Sequence, residues 1–419
     1  MANALSCSQA RRLADQVMAY CDDLAKYTQV EGMIDRRYLT PEHKQTNQQL
    51  ARWANSSALQ SWQDSAGNQW IRLPSVNPAA KRIIMGSHTD TVPNGGRYDG
   101  MLGVVAPLVL LKFFAEQQIQ FDFHLDVVGF GDEEGTRFGS TLLGSSAVTG
   151  DWKSSWQDLC DSDGVSLSRA MDDFGLDMDD VEQAAINFDE VLLYFETHIE
   201  QGPVLEQVDR PLAAVKGIAG ARRFEISVIG DAGHAGTVPM NLRRDPLVVV
   251  SEWITQVNNR VMEYTQAPCP VVATVGRLQV LPGAVNVIPG RVNLSLDVRS
   301  LSDSNRDELI DALNANLAST AARQGLRLEW TQTHNASAVA CDEHVTQTLS
   351  DTIAQCTDGG EALVSGAGHD AMLFANKVPT TMLFVRCKGG VSHHPAESIL
   401  AEDVAAGLKV MAAFLSQYQ

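Results

Sequence analysis

The chain has 419 residues, which suits two domains, and 44% of them are hydrophobic, so a sizeable core is available and wholesale disorder is excluded. With 32 Lys and Arg against 51 Asp and Glu the formal charge is -19, a surface that repels phosphate backbones and anionic lipid and so excludes nucleic acid and membrane surfaces as expected partners. No apolar run approaches the roughly 18 residues that span a bilayer. Residues 1–27 mix charges with apolar positions and read as an amphipathic helix; the basic start and unbroken apolar stretch of a signal peptide are missing. Seven scattered cysteines, none in CxxC spacing, argue against a disulfide framework and place the chain in a reducing cytosol.

Arg82 to Ser87 and Phe121 to Phe130 are short apolar runs that read as buried strands, with Gly103 to Gln118 as a helix between them. This is the βαβ pattern of an α/β sheet, in which ligands collect at the carboxyl ends of strands. Asp151 to Asn187 is polar and reads as helical hairpins and surface loops; Val191 to Thr197 is a third strand. From Ala214 the pattern becomes strand Arg223–Ile229, helix Asp245–Tyr264, strands Val271–Val280 and Arg291–Ser300, helix Ser304–Gly325 and strand Leu326–Thr331. That order is ferredoxin-like. Residues 214–332 are therefore expected as an inserted α+β domain, and 1–213 with 333–419 as an α/β catalytic domain. Gly217 and Gly220, where the insertion begins, are expected as hinges or simple turn residues.

Four clusters carry the chemistry. His88, Asp90 and Asp99 lie in SHTDTVPNGGRYDG, where glycines let Asp99 fold back toward His88 and Asp90 is placed to accept the imidazole's second N–H. Asp132, Glu133 and Glu134 follow an apolar strand; one carboxylate of such a group can bind metal while another serves as base. His198 ends the third strand, and Ser392-His393-His394-Pro395-Ala396-Glu397 lies near the C-terminus. Acidic loops and lone histidines are usually structural, but four such clusters, three at strand ends, point to hard or borderline metals: zinc, manganese, cobalt or nickel.

In order, GSHTDTVPNGGRYDGMLGV, DEEGTRFGS, HIEQGPVLE, GHAGTVPMNLRRDP, NVIPG…LDVRS, SGAGHDA and GVSHHPAE resemble the M20-type dinuclear metal amidohydrolases, and more narrowly their hydantoinase/carbamoylase branch. The branch includes N-carbamoyl-L-amino acid hydrolases, allantoate amidohydrolases and β-ureidopropionases; VGRLQVLPGAVNVIPGRV looks closest to the first. The resemblance implies a metallopeptidase-like catalytic domain with a mixed sheet and a ferredoxin-like dimerisation (lid) insertion. It implies two divalent ions per subunit, bridged by Asp99, with His88 and His198 completing one site and Glu134 and His393 the other. His394 stands where the family often has Asn and competes with His393 for the ligand position. Glu133 would be the general base and Asp90 the residue orienting His88. His234 would stabilise the oxyanion from the partner subunit of a homodimer. Asn286 and Arg299 would hold the substrate carboxylate, with Gln201 and Gly368 as further substrate contacts; from spacing alone, Asn286 reads as a turn residue and Arg299 as a surface charge. His369 would touch substrate or brace the glycine loop, and His124 is expected as an ordinary strand residue. The implied activity is hydrolysis of the ureido bond of N-carbamoyl-L-amino acids, with allantoate as the rival substrate and a peptidase, an acylase or a non-catalytic binding protein behind it.

Overall fold

A computed structural model describes residues 5–57, 59–264, 267 and 269–418. The chain divides into two compact units, Met1–Lys216 with Cys341–Gln419, and Gly217–Ala340. The first unit is built on a mixed sheet whose centre is parallel. Strand Arg82–His88 runs parallel to His124–Phe130 on one side and Val191–Ile199 on the other, and Thr380–Val385 continues parallel to Val191–Ile199. Antiparallel strands flank this centre: Gln69–Leu73, with Gln60–Gln63 beyond it, and Leu212–Ile218. In register, His88 lies opposite Phe130 and His198 opposite Phe384, so the loops that leave these strands emerge along one edge of the sheet.

The helix Met101–Glu116 is apolar all round and buried from Met101 to Phe114 because it is covered on every side. It packs on strand Arg82–His88 and against helices Cys7–Leu24 and Ala401–Leu415. Its one buried charge, Lys112, is satisfied by Trp53 O at 2.9 Å and Ser56 Oγ at 3.0 Å. Of the stretch read as the N-terminal helix, residues 1–4 lie outside the described residues, and the helix itself is Cys7–Leu24, opened by a Ser6/Gln9 capping box. His124 is satisfied as expected of a strand residue, accepting the Ser75 N–H at 2.9 Å.

The segment 151–187 is less regular than helical hairpins. It holds one α-helix, Leu167–Phe174, and short 3-10 turns, whose apolar side chains Leu167, Met171 and Phe174 pack on Tyr38 and Phe138. His43 lies fully buried beside this cluster, stacked on Phe174 with Nδ1 accepting the Leu39 N–H at 3.1 Å. Burial, helped by Arg36 and Arg137, pushes its imidazole down to about 3. A histidine depressed in this way is neutral in the fold and protonated in the unfolded chain below its ordinary pKa, so stability is lost as pH falls from about 6.5 toward 3. Between pH 7 and 5 the stability of the wild type relative to His43→Gln is expected to fall by about 2 kcal/mol. Urea melts at the two pH values read this directly, and a constant difference would reject it.

The second unit is a sheet ordered Leu278–Leu281, Arg291–Ser300, Gly220–Ile229, Arg327–Ala336, with Val271–Thr274 also paired on Arg291–Ser300. Strand Arg291–Ser300 alternates strictly, so Val292, Leu294, Leu296 and Val298 join the core against helices Pro246–Glu263 and Asp303–Arg323. The opposite face carries Arg223, Asp297 and Arg299 and lines a cleft of about 500 Å³.

Further details differ from the sequence reading. The run 271–280 is two strands, Val271–Thr274 and Leu278–Leu281, interrupted at Val275-Gly276-Arg277. An unforeseen ribbon pairs Gly233–His234 with Val287–Ile288. The second unit is bounded at 217 and 340 rather than 214 and 332, because strand Leu212–Ile218 still pairs with Thr380–Val385 and the last long strand continues to Ala336. Gly217 and Gly220 lie in strands Leu212–Ile218 and Gly220–Ile229 rather than in a turn, and both are closely packed: a Cβ at Gly217 would lie 2.6 Å from the Leu301 side chain, and one at Gly220 2.4 Å from Ala338 N.

Candidate metal centre and active site

The parallel strands deliver their histidines and acids to one place. His88 is the last residue of its strand and His198 the penultimate residue of another, both buried. Asp99 comes from the glycine-rich loop that opens helix Met101–Glu116. Gly100, at φ +71°, lets this loop close over His88, since a Cβ there would lie 2.5 Å from the imidazole ring. Asp99 Oδ1 stands 3.3 Å from His198 Nε2 and 3.9 Å from His88 Nε2, and its Oδ2 stands 3.1 Å from His393 Nε2. Glu134 Oε1 is 3.3 Å from that same His393 nitrogen. Ligand atoms of His88, Asp99 and His198 lie within 4.8 Å of one another, as do those of Asp99, Glu134 and His393, so Asp99 belongs to both sets. His88, Glu133 and Glu134 form a further such group. Of the two C-terminal histidines it is His393, held at φ +55°, that reaches Asp99. His394 turns away, its Nδ1 accepting the Ala396 N–H at 3.1 Å.

These residues fit a divalent cation. His88 Nδ1–H donates to Asp90 O at 3.0 Å and His198 Nδ1–H to Ile199 O at 2.9 Å, which leaves each Nε2 lone pair aimed at Asp99. His198 Nε2 is buried with no hydrogen-bond partner, a cost that an ion would relieve. The cluster favours positive charge. The hydrogen bonds of His393 to Asp99 and then Glu134 push its imidazole up to about 10. Burial opposes ionisation of Asp99, yet the His393 hydrogen bond and the neighbouring His198 and His88 hold its carboxyl well below the usual range. Glu133 is raised well above it, by desolvation first and by the Glu134, Asp370 and Asp90 carboxylates, against the pull of His88.

Asp90 contacts both His88 and the acidic loop. Its carbonyl takes the imidazole N–H, while its carboxylate accepts the backbone N–H groups of Glu133 at 3.0 Å and Glu134 at 3.1 Å and so fixes the acidic loop. Beneath it, buried Arg36 donates to Thr89 O at 2.7 Å and Leu24 O at 2.7 Å. Gln201 Nε2 lies 3.0 and 3.1 Å from the two Asp99 oxygens, and Gly368 lies beside Glu133, where an added Cβ would stand 3.5 Å from its Oε1. His369 Nε2 meets Ser365 Oγ at 2.7 Å, and its ring packs edge-on to His198 at 4.5 Å. Sequence reasoning gave no role to Glu196, which receives Ser87 Oγ at 2.8 Å and Ala371 N–H at 2.9 Å behind the centre, nor to Ser392 Oγ, 3.1 Å from Asp99.

The remaining residues lie in the second unit. The ribbon brings His234 and Asn286 together, with Val287 opposite His234 and the Ala235 N–H bonded to Asn286 O at 2.9 Å. Arg299 sits on the cleft-lining face, its Nε and Nη2 bound to the two Asp297 oxygens at 2.9 and 3.0 Å.

Comparisons with known proteins return named hydrolases. The chain belongs to peptidase family M20/M25/M40, whose model matches residues 84–417. It is 37% identical over 383 residues to an N-carbamoyl-L-amino acid amidohydrolase of Geobacillus stearothermophilus, covering 91% of this chain and 93% of that one. It is 34% identical over 440 residues to an allantoate deiminase of Arabidopsis thaliana, covering 97% and 82%. The crystal structure of a hydantoinase/carbamoylase family amidase from Burkholderia multivorans superposes at a TM-score of 0.90, with 31% identity over 100% of this chain and 99% of that one. Among the described residues no helix is long and apolar enough to cross a membrane.

Proposed function

We propose that this chain is an amidohydrolase that cleaves the ureido carbon–nitrogen bond of N-carbamoyl-L-amino acids, releasing the amino acid, ammonia and carbon dioxide. The observation that carries the reading is the meeting of His88, His198, Glu134 and His393 on the single carboxylate of Asp99, with Glu133 in the adjoining group. In this reading Asp99, His88 and His198 would hold one divalent ion (zinc, manganese, cobalt or nickel), and Asp99, Glu134 and His393 would hold another. Bound there, the ions would polarise the ureido carbonyl and lower the pKa of a water. Glu133 would take the proton of that water as it attacks the carbonyl and pass it to the departing nitrogen, and the resulting carbamate would lose carbon dioxide. Asp90 would keep the acidic loop and His88 in place, with Gln201 and Gly368 bordering the substrate.

Arg299, whose planar fork binds the two Asp297 oxygens in this structure, would exchange them for the substrate carboxylate, and Asn286 would join it at the amino-acid end. His234 of the partner subunit would face the developing oxyanion. A homodimer through the second unit is supported by exposed Met240, Leu242 and Val285 on the segments that flank His234 and Asn286. All seven cysteines are free, which suits a reducing cytosol.

Likeness to the plant allantoate deiminase over 97% of the chain favours allantoate as the second reading. Ammonia release by the metal-loaded protein decides between them. N-carbamoyl-L-amino acids are expected to yield ammonia and allantoate none. The reverse would assign the chain to allantoate, and silence on both with metal bound would overturn the carboxylate-binding roles of Arg299 and Asn286.

A further inference from the structure

Glu397 is only 3% exposed, and both of its carboxylate oxygens are used. Oε1 accepts the backbone N–H groups of Tyr98 at 2.8 Å and Asp99 at 3.2 Å. Oε2 accepts the Ser392 hydroxyl at 3.4 Å, and the same hydroxyl lies 3.1 Å from Asp99 Oδ2. The Glu397 N–H donates to His394 O at 3.0 Å and closes the turn that presents His393. Gly96 completes the seat: a Cβ there would lie 2.0 to 2.2 Å from the carboxylate, so the 96–99 loop rests directly on it. One buried side chain thus fastens the loop of Asp99 to the turn of His393, segments from distant parts of the sequence. Glu397 belongs to none of the groups whose ligand atoms cluster.

We propose that Glu397 is a positioning residue for the second ion, setting the 3.1 Å approach of Asp99 Oδ2 to His393 Nε2 by holding the Asp99 backbone against the His393 turn. The inference rests on the two-ion reading given above. Asp99 serves both sites, but His88 and His198 are aligned by their own strands and by the carbonyls of Asp90 and Ile199, whereas Asp99 and the His393 turn both rest on Glu397, so the second ion depends on Glu397 more than the first. Loss of such an outer partner weakens metal affinity by about 10- to 100-fold. The loss falls on the ion of Glu134 and His393, lowering kcat with little change in KM.

The test compares wild type, Glu397→Ala and Glu397→Gln as full-length chains, with zinc affinity read by chelator competition, cobalt(II) spectra, and circular dichroism for fold. Wild type is expected to hold two ions. Glu397→Ala is expected to keep the first and bind the second about 10- to 100-fold more weakly, with an altered cobalt spectrum. Glu397→Gln keeps an oxygen for the two N–H groups and an amide for Ser392, and is expected to restore the second ion to within about threefold, a small fraction of the loss outer partners cause. Two equally tight ions in Glu397→Ala would overturn the inference, as would equal weakening of both ions or a Gln variant as impaired as Ala. If Glu397→Ala does not fold, Glu397→Asp, one methylene short of the Tyr98 and Asp99 N–H groups, is read against the same outcomes. A wild type that takes up no second ion defeats the two-ion reading itself, which separates that failure from failure of Glu397 alone.

Discussion

Glu133→Gln is expected to retain the fold and the bound metal while kcat falls by about a hundred- to ten-thousand-fold, the range for removal of a general base. The amide has the size of the carboxylate, and what fixes this loop is the Glu133 backbone N–H on Asp90, which the substitution leaves in place. The side chains that converge on Asp99 are likewise untouched. What disappears is the capacity to accept a proton beside His88 and Glu134. Metal content, circular dichroism and single-turnover ammonia release measured on the same sample check it. Turnover within a few-fold of wild type would remove Glu133 from the base role, and loss of metal would mean that it is a ligand.

Asp99→Ala is expected to act at an earlier stage, by dismantling the centre. This carboxylate faces His198 and His393, and takes hydrogen bonds from Gln201 and Ser392. Without it two imidazoles confront each other with no anion between them, and both ions should bind more than about 100-fold more weakly, beyond what loss of an outer partner alone causes. A ligand at a thousand times its Kd stabilises a fold by about 4 kcal/mol, so wild type should melt markedly higher with zinc than with chelator. In Asp99→Ala that difference should vanish along with turnover. A variant that still carries two ions would show that Asp99 is not shared.

The legible parts of the molecule were those with strong local signals. Arg82–His88 and Val191–Ile199 are short apolar runs with His at the last or penultimate position, and such runs end where a sheet meets solvent, so the chemistry at their ends could be read before any contact was known. The hairpin Gln60–Gln63 and Gln69–Leu73 was not legible, because QSWQ has little apolar alternation and acquires its place by pairing in register with Gln69–Leu73. Helix Pro41–Asn55 carries start signals, Thr40 as cap and Pro41 at the first position, but its buried face includes His43, Thr46 and Asn47, polar residues that mask the pattern. In the sequence Glu397 is only the last residue of the C-terminal cluster; its importance is tertiary, created by the approach of a loop 298 to 299 residues away. The same holds for Asp132 and Asp370, both fully buried, since nothing in a sequence announces that an acid will be taken out of water.

The place where the second unit leaves and rejoins the first has a consequence for how such a protein can vary. Within the first unit Cys341 N–H bonds to Lys216 O at 3.2 Å, so the chain departs and returns at adjacent points of a finished strand pair. To the catalytic sheet, Gly217–Ala340 is one excursion whose mouth is already closed, and because that excursion has its own hydrophobic core the sheet bears little entropy for its length. Insertions, deletions or wholesale exchange beyond this mouth leave the strand ends that carry His88, His198 and the acidic loop undisturbed. The half that would choose the substrate is thereby free to drift independently of the half that would perform the hydrolysis.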